Sequence, residues 1–410
     1  MSTFSAGTRF LSGSLLLLGF LSTAHLKAAE KPLDDFDTCL SSLSSQAREA
    51  GVSSRTLDQV IPQVEQLERV IELDRRQPEF TSSFASYLNL RVNDRRIERG
   101  RELLEEHRDL LLRVEKATGV PAAYLLAFWG LETNYGSYFG KMSVPSSLAT
   151  LACDPRRSSM FTRQFVAAMK IIDEGSIPVE KMEGSWAGAM GHVQFMPTVF
   201  LAHAVDGDGD GKRDLWNSLP DALMSAGHFL EDLGWQKDYR WGREVRLPAN
   251  FDYSLADKER RPLSFWRQKG VTTAFGTPIP DEPIEARLVV PAGHTGPKFL
   301  AYHNFNVIMG WNRSEYYAIS VGHLADRIAG AGGLHTPPPT DLPRIPRDAI
   351  ENLQQRLAAK GYDPGPADGI AGPGTRSAIR NYQKAQGLVP DGYPSRDVFE
   401  SLGIVIPESD

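Results

Sequence analysis

Apolar residues recur every three or four positions along much of the chain, which is the spacing of a helix with one buried face. The clearest case is residues 97–116 (IERGRELLEEHRDLLLRVEK), where charged residues separate Leu and Ile. Gly119 and Pro121 interrupt the pattern, and Pro121 suits the first turn of a new helix. That helix, AAYLLAFWGLE, is apolar nearly all round, so we predict that it is central, buried and ends near Gly136.

The pattern changes between residues 241 and 302. The runs VRLP, EARLVVP and KFLAY are short β-type segments separated by Pro, Gly and Asp turns. Helical spacing returns over residues 316–328. We therefore predict that residues 31–330 form a mostly α domain with a small β insertion.

A segment rich in Gly and Pro follows. Eight of the 17 residues from 330 to 346 (GAGGLHTPPPTDLPRIP) are Gly or Pro, which excludes a helix or a central strand there. We interpret residues 331–346 as a semi-rigid linker to a compact unit at 347–404. Such a linker is expected to couple the two units only by keeping them close.

The N-terminal residues have the order of features found in secretory signals. Arg9 precedes the apolar run LLLLGFL, and Ser22, Thr23 and Ala24 supply small residues for cleavage. The run is shorter than the roughly 20 apolar residues of a transmembrane helix. The alternative is an uncleaved membrane anchor. We expect residues 1–24 to be a signal peptide, and the mature protein to be soluble and periplasmic, with no stable membrane span.

Composition excludes some classes of protein. The 410 residues have a formal net charge of −6, so binding to a nucleic-acid backbone has no electrostatic support. Two cysteines, Cys39 and Cys153, are too few for a disulfide scaffold or a Cys-rich zinc site. Export makes a bond between them feasible, but two buried thiols fit the sequence equally well.

Glu132 is a candidate catalytic group on local physics alone. It lies at the end of the apolar helix, where burial and the negative end of the helix dipole both raise the pKa of a carboxyl. A carboxyl that stays protonated near neutral pH is what a general acid needs. The alternative is a solvated glutamate at a helix end.

Two segments connect this residue to a known family. GLETNYG at 130–136 and GSWAGAMGHVQFMP at 184–197 resemble signatures of the lytic murein transglycosylase B family, and YHNF at 302–305 and WNRS at 311–314 match further positions. The resemblance implies a lysozyme-like helical domain. It also implies that Glu132 is the single catalytic acid and base, and that the glycan cleft is lined by Ser185, Gln194, Asn312, Tyr317 and, as a looser match, Tyr87.

Two residues depart from the family pattern. Trp311 stands where Tyr is frequent, and Phe229 stands where an aromatic hydroxyl is expected. The residues of the 184–197 segment also allow two interpretations. Its glycines allow a bulky ligand close to the backbone, or they serve tight packing within the protein. Gln194 both donates and accepts hydrogen bonds, as sugar hydroxyl and N-acetyl groups require.

The loop DGDGDGKRDLWN at 206–217 resembles an EF-hand cation loop. Asp206, Asp208 and Asp210 occupy positions 1, 3 and 5, and Lys212 would contribute its backbone carbonyl. Asn217 replaces the usual bidentate Glu at position 12, which predicts weak binding of a structural Ca²⁺ or Na⁺. The alternative is a turn-rich acidic surface loop. No cofactor is expected for catalysis.

The C-terminal unit resembles a small three-helix peptidoglycan-binding domain. Its most specific part is the pattern D-G-x-x-G-x-x-T, in which Asp368 suits a turn and Thr375 a helix start. A helical dimerisation module is the alternative. The sequence identifies no binding residue within this unit.

The two resemblances together predict an exported enzyme acting on peptidoglycan glycan strands. It would cleave the β-1,4 bond between N-acetylmuramic acid and N-acetylglucosamine without water and leave 1,6-anhydro ends. One rival is a lysozyme-like hydrolase, which needs a second carboxylate opposite Glu132. The other is a wall-binding protein without catalysis. Protein partners are not predicted.

Overall fold

The computed structural model describes residues 36–76, 82–342 and 344–406. The predicted signal peptide at residues 1–24 lies outside these ranges. Within them, no helix is both long enough and apolar enough to cross a membrane.

The first third of the described chain is helical. Side-chain oxygens of Ser53, Ser83 and Asn93 accept backbone N–H groups at the starts of the second, fourth and fifth helices, as N-cap residues do. The helices are α1 (Phe36–Glu49), α2 (Ser54–Val60), α3 (Glu68–Arg76), α4 (Phe84–Arg91), α5 (Asp94–Glu106) and α6 (Arg108–Thr118).

The single helix expected over residues 97–116 is divided in two. The chain leaves helical geometry at His107, where α5 ends and α6 begins. The His107 ring lies 6.1 Å from the ring of Trp129. Periodicity did not reveal the break because the apolar spacing continues on both sides of it.

The apolar segment forms α7 (Ala122–Thr133), and its predicted central position is confirmed. Most of its side chains are buried, with Leu125, Leu126 and Phe128 fully enclosed. The helix ends at Asn134 in left-handed conformation, and Gly136 also has a positive φ of 77°.

The next elements surround the loop at 184–197. They are β1 (Met142–Ser143), α8 (Val144–Cys153), α9 (Ser158–Asp173), β2 (Glu183–Gly184), α10 (Pro197–His203) and α11 (Leu219–Asp232), with β1 antiparallel to β2. The two cysteines form a disulfide and are not free buried thiols. It joins Cys39 of α1 to Cys153 of α8, with the Cα atoms 5.9 Å apart.

The predicted β insertion is a five-stranded antiparallel sheet in the order β4-β6-β7-β3-β5. It has its own core, in which Leu263, Trp266 and Leu300 are buried. The elements are β3 (Gly242–Arg246), β4 (Arg261–Pro262), α12 (Leu263–Gln268), β5 (Thr272–Thr273), β6 (Glu285–Val289) and β7 (Lys298–Ala301).

Two helices then return to the first core. They are α13 (His303–Trp311) and α14 (Glu315–Ile328), and α14 packs along α7 and α5. The C-terminal unit contains α15 (Arg347–Ala359), α16 (Pro373–Ala385) and α17 (Arg396–Ser401) around a separate apolar core. The predicted fold class, mostly α with a small sheet and a small three-helix C-terminal unit, is confirmed.

The C-terminal unit is docked on the large domain. The carboxylate of Asp391 accepts the His294 backbone N–H at 2.8 Å and lies 2.7 Å from Nδ1 of the same residue. Arg380 donates to the carbonyl of Ala256. Glu244 of β3 accepts the backbone N–H groups of the linker residues 335 and 336. The expectation that proximity alone couples the two units is therefore wrong for this structure.

Candidate active site

Glu132 lies in the last turn of α7 and is partly buried. Its Oε1 accepts two hydrogen bonds, one from Nε1 of Trp311 at 3.0 Å and one from the hydroxyl of Tyr317. Within the described ranges, no hydrogen bond from the protein reaches Oε2. One oxygen is thus fixed by donors, and the other is left for a ligand.

Burial raises the pKa of Glu132 to about 7, although the hydrogen bonds from Tyr317 and Trp311 and the charge of Arg91 act in the opposite direction. Burial and the neighbouring Glu132 raise the pKa of the Tyr317 hydroxyl well above its ordinary value, so it remains a donor. The carboxyl is therefore protonated in a large fraction of molecules near neutral pH. This is the property that the sequence predicted.

Trp311 is a site residue whose contact the sequence did not predict. The sequence marked it only as a departure from the family pattern, in which Tyr is frequent at this position. Its indole N–H nevertheless donates a hydrogen bond to Glu132, as a Tyr hydroxyl can. Its ring lies 4.5 Å from Phe128, 5.4 Å from Phe195 and 5.2 Å from Phe229. Phe229 thus packs against the residue that holds Glu132. Recognising Trp as a donor would have suggested this role.

Two predicted cleft tyrosines, Tyr317 and Tyr87, lie on different helices, α14 and α4. Tyr317 is in the first turn of α14 and is 3% exposed. The Tyr87 ring, on α4, lies 5.8 Å from Tyr316, and the Arg91 guanidinium lies 4.1 Å above it. Arg91 is the source of the positive charge that lowers the pKa of Glu132. The sequence identified Tyr87 and Tyr317 as candidates but not Arg91.

The 184–197 segment is tied directly to the end of α7. Thr133 donates its hydroxyl to the carbonyl of His192 at 2.8 Å. Gln194, with a positive φ of 50°, donates its amide nitrogen to the carbonyls of Phe139 and Gly191, both at 3.1 Å. These bonds leave the Gln194 side-chain oxygen as an acceptor.

Ser185 and Asn312 lie at turns. The Ser185 hydroxyl accepts the N–H of Ala189 at 3.0 Å, and Asn312 is an exposed residue directly after Trp311 at the end of α13. Neither is among the hydrogen-bond partners of Glu132. Ser185 and Asn312 therefore remain predicted cleft residues.

The glycines of this segment serve packing within the protein. A Cβ on Gly184 would lie 2.2 Å from the carbonyl oxygen of Ala189, and one on Gly191 would lie 2.5 Å from that of Leu215. A Cβ on Gly188 would meet the Leu148 side chain at 2.4 Å. Of the two interpretations of these glycines, tight internal packing is the one with observed contacts.

The acidic loop brings its three predicted carboxylates together. Carboxylate oxygens of Asp206, Asp208 and Asp210 lie within 4.8 Å of one another, and all three residues are exposed. Asp206 accepts the backbone N–H groups of Gly211 and Gly209, and these bonds lower the pKa of its carboxyl. Three hard oxygen ligands around one point fit a Ca²⁺ or Na⁺ ion.

The position-12 residue of the loop has another partner. The side-chain amide of Asn217 donates to Asp214 at 2.8 Å. Lys212 donates its backbone N–H to Asp210 at 2.8 Å, which places it within the loop next to a predicted ligand. The three aspartates are thus the best-supported cation ligands. The roles of Lys212 and Asn217 as ligands remain predictions.

The D-G-x-x-G-x-x-T pattern of the C-terminal unit forms a local network. Gln354 donates its side-chain amide to Asp368 and to the hydroxyl of Thr375, both at 3.0 Å. Asp368 also accepts the N–H of Ile370, as expected for a turn. These residues stabilise the fold of the unit.

Both parts of the chain match known protein families. Residues 35–326 match the family described as the transglycosylase SLT domain, and residues 346–402 match a peptidoglycan-binding domain family. Membrane-bound lytic murein transglycosylase B of Escherichia coli is 27% identical over 293 residues, covering 68% of this chain and 79% of that protein.

Solved structures agree. SltB3 from Pseudomonas aeruginosa, in complex with NAG-anhNAM-pentapeptide, is 42% identical, with a TM-score of 0.86 over 90% of this chain and 99% of that chain. The lytic transglycosylase Slt35 of Escherichia coli, in complex with calcium, is 25% identical, with a TM-score of 0.61 over 71% of this chain and 92% of that chain.

Proposed function

The chain belongs to the transglycosylase SLT domain family of lytic transglycosylases, enzymes that act on peptidoglycan, and on that premise we propose the bond, the product and the residues of its reaction. The bond is the β-1,4 linkage between N-acetylmuramic acid and N-acetylglucosamine. The product carries a 1,6-anhydro-muramic end.

The observation that carries the proposal is the asymmetric environment of Glu132. Its Oε1 is occupied by the donors of Trp311 and Tyr317, so an acidic proton belongs on Oε2. Burial raises the pKa of this carboxyl to about 7, which keeps that proton available near neutral pH. Oε2 then donates it to the glycosidic oxygen.

The two donors also serve the second half of the reaction. As the bond between the muramoyl C1 and the oxygen breaks, that oxygen leaves as a hydroxyl of N-acetylglucosamine with the proton of Glu132. The resulting carboxylate is stabilised by Trp311 and Tyr317. It then takes the proton of the C6 hydroxyl, whose oxygen attacks C1 and closes the anhydro ring. Because this nucleophile is part of the substrate, its effective concentration exceeds that of water.

The environment of Glu132 favours this route over hydrolysis. A hydrolase of the ordinary kind needs a second carboxylate near the acid. Within the described ranges, the charged neighbour that shifts the pKa of Glu132 is Arg91, and no carboxylate does so. The NAG-anhNAM-pentapeptide bound by the SltB3 relative supports the anhydro product.

The remaining assignments follow from the same premise. The glycan cleft is lined by Ser185, Gln194, Asn312, Tyr87 and Tyr317. Gln194 offers its side-chain oxygen to a sugar N–H or hydroxyl. Asp206, Asp208 and Asp210 hold a structural Ca²⁺, as the calcium complex of Slt35 suggests. No cofactor takes part in the chemistry.

The C-terminal unit binds the cell wall, and the protein works in the periplasm after removal of residues 1–24. The match of residues 346–402 to a peptidoglycan-binding family supports the first point. The disulfide between Cys39 and Cys153 is compatible with an oxidising compartment.

Product mass tests the proposal. Purified sacculi are digested with the full chain, and the released muropeptides are weighed by mass spectrometry. Anhydro ends, lighter by one water than the hydrolysis products, are expected. Products that contain the added water would establish a hydrolase, and the absence of cleavage would leave a binding protein.

A further inference from the structure

The C-terminal unit reaches the helix that carries Tyr317. Arg376 of α16 places Nη1 3.8 Å from Oε2 of Glu315, the first residue of α14. On the other side, Arg287 of β6 donates to Oε1 of the same carboxylate at 2.9 Å. Glu315 is thus held between an arginine of each domain, only two residues before Tyr317.

These groups are shielded from solvent. The side chains of Arg376, Glu315 and Arg287 are 20%, 25% and 14% exposed. Burial alone would raise the pKa of Glu315, but the two arginines outweigh it, and the pKa is lowered. An ionised, partly buried carboxylate with two cationic partners resists displacement, because losing either partner leaves a buried charge less compensated.

The residue after Glu315 also lies near Arg376. Burial raises the pKa of Tyr316 and the charge of Arg376 acts against this rise, and the Tyr316 hydroxyl donates to the carbonyl of Pro291 at 3.2 Å. The Tyr316 ring packs 5.1 Å from Phe84 and 5.8 Å from Tyr87. Arg376 therefore pairs with Glu315 and lies near Tyr316, two successive residues in the first turn of α14.

We infer that Arg376 is a positioning residue of the catalytic site, acting across the domain boundary. By pairing with Glu315 it fixes the first turn of α14, so that the Tyr317 hydroxyl meets Oε1 of Glu132. This deepens the proposed function, since it rests on Glu132 as the acid. The C-terminal unit then contributes to turnover and not only to wall binding.

The test uses the full chain and short soluble glycan fragments, so that binding to insoluble wall plays no part. Arg376→Ala is expected to lower kcat about threefold to tenfold with KM nearly unchanged. Arg376→Lys keeps the cation and is expected to restore most of the rate. The loss of the Tyr317 restraint should also raise the pKa of Glu132 and move the pH–rate profile to higher pH.

A double-mutant cycle separates positioning from general destabilisation. If Arg376 acts through Tyr317, then Arg376→Ala adds no further loss in a Tyr317→Phe background. The matched control is His294→Ala, which removes the side-chain contact with Asp391 in the same interface without touching α14. It is expected to retain the wild-type kcat.

Several results would overturn the inference: an unchanged kcat in Arg376→Ala, full additivity with Tyr317→Phe, or an equal loss in His294→Ala. If Arg376→Ala does not fold, as judged by its melting curve, Glu315→Gln breaks the same contact from the other domain and enters the same cycle. Wild-type product mass is recorded in each assay. A wild type that yields no anhydro product refutes the proposed function, whereas anhydro product with no Arg376 effect refutes only this inference.

Discussion

Glu132 and the aspartates at 206–210 are carboxylates in opposite surroundings. Glu132 is partly buried beside Trp311 and Tyr317, and burial raises its pKa to about 7. Asp206 is exposed and accepts several backbone N–H groups, which lower its pKa. The first environment favours a group that releases a proton near neutral pH, and the second favours permanent anions that bind a cation. Surroundings, rather than residue type, separate the two roles.

The largest expected effect is the loss of activity in Glu132→Gln. The amide keeps the shape of the side chain but removes the transferable proton, so kcat should fall by about 10²–10⁴-fold. Cleavage of soluble glycan fragments measures this, and Glu49→Gln, at the exposed end of α1, is the control. A variant with near wild-type turnover would remove Glu132 from the mechanism.

The same substitution should stabilise the protein in alkaline solution. The folded-state pKa of Glu132 lies above its ordinary value of 4.5. The carboxyl therefore contributes stability that is fully present below pH 4.5. This contribution is lost as the pH rises through about 7. Glutamine does not titrate. The free energy of unfolding of Glu132→Gln, taken relative to wild type, should therefore be higher at high pH than at low pH by up to about 3 kcal/mol.

Urea unfolding at about pH 4 and about pH 8 provides the measurement. The gain of Glu132→Gln should appear only at the higher pH. If the variant and wild type differ by the same amount at both, burial does not raise the pKa of Glu132 and the contrast with the loop fails.

Tyr317→Phe should have a smaller effect on activity. The ring is retained, but one donor to Oε1 of Glu132 is lost, so kcat should fall about tenfold, or about 1.4 kcal/mol. The pKa of Glu132 should rise, because this bond lowers it. The alkaline limb of the pH–rate profile is then expected at higher pH. A profile that keeps its position would show that Trp311 alone holds the carboxylate.

The smallest expected effect concerns the loop. Calcium at about five times its Kd should stabilise the chain by about 1 kcal/mol through mass action. Asp208→Asn should abolish most of the gain, while Asp341→Asn, an exposed aspartate elsewhere, should keep it. Melting curves with and without a chelator give the answer, and a stabilisation equal in both variants would place the ion outside this loop.

Local patterns predicted what depends on neighbouring residues. The apolar run before Glu132 predicted both the buried helix and the raised pKa of the carboxyl. The alternating aspartates predicted a converging loop, because residues two positions apart in a turn present their oxygens to one centre. The break at His107 was not predicted, since nothing in the apolar spacing changes there.

By itself, then, the sequence determined the fold class and predicted the acid and the acidic loop, because these rest on periodicity, on contacts within a few residues and on the family resemblance. Tertiary structure alone decided which donors hold Glu132: Trp311 lies 179 residues away and Tyr317 lies 185. It also decided the disulfide across 114 residues and the contact between Arg376 and Glu315. Such pairings follow from the packing of whole helices and domains, whose free energy is shared among many side chains and leaves no local pattern.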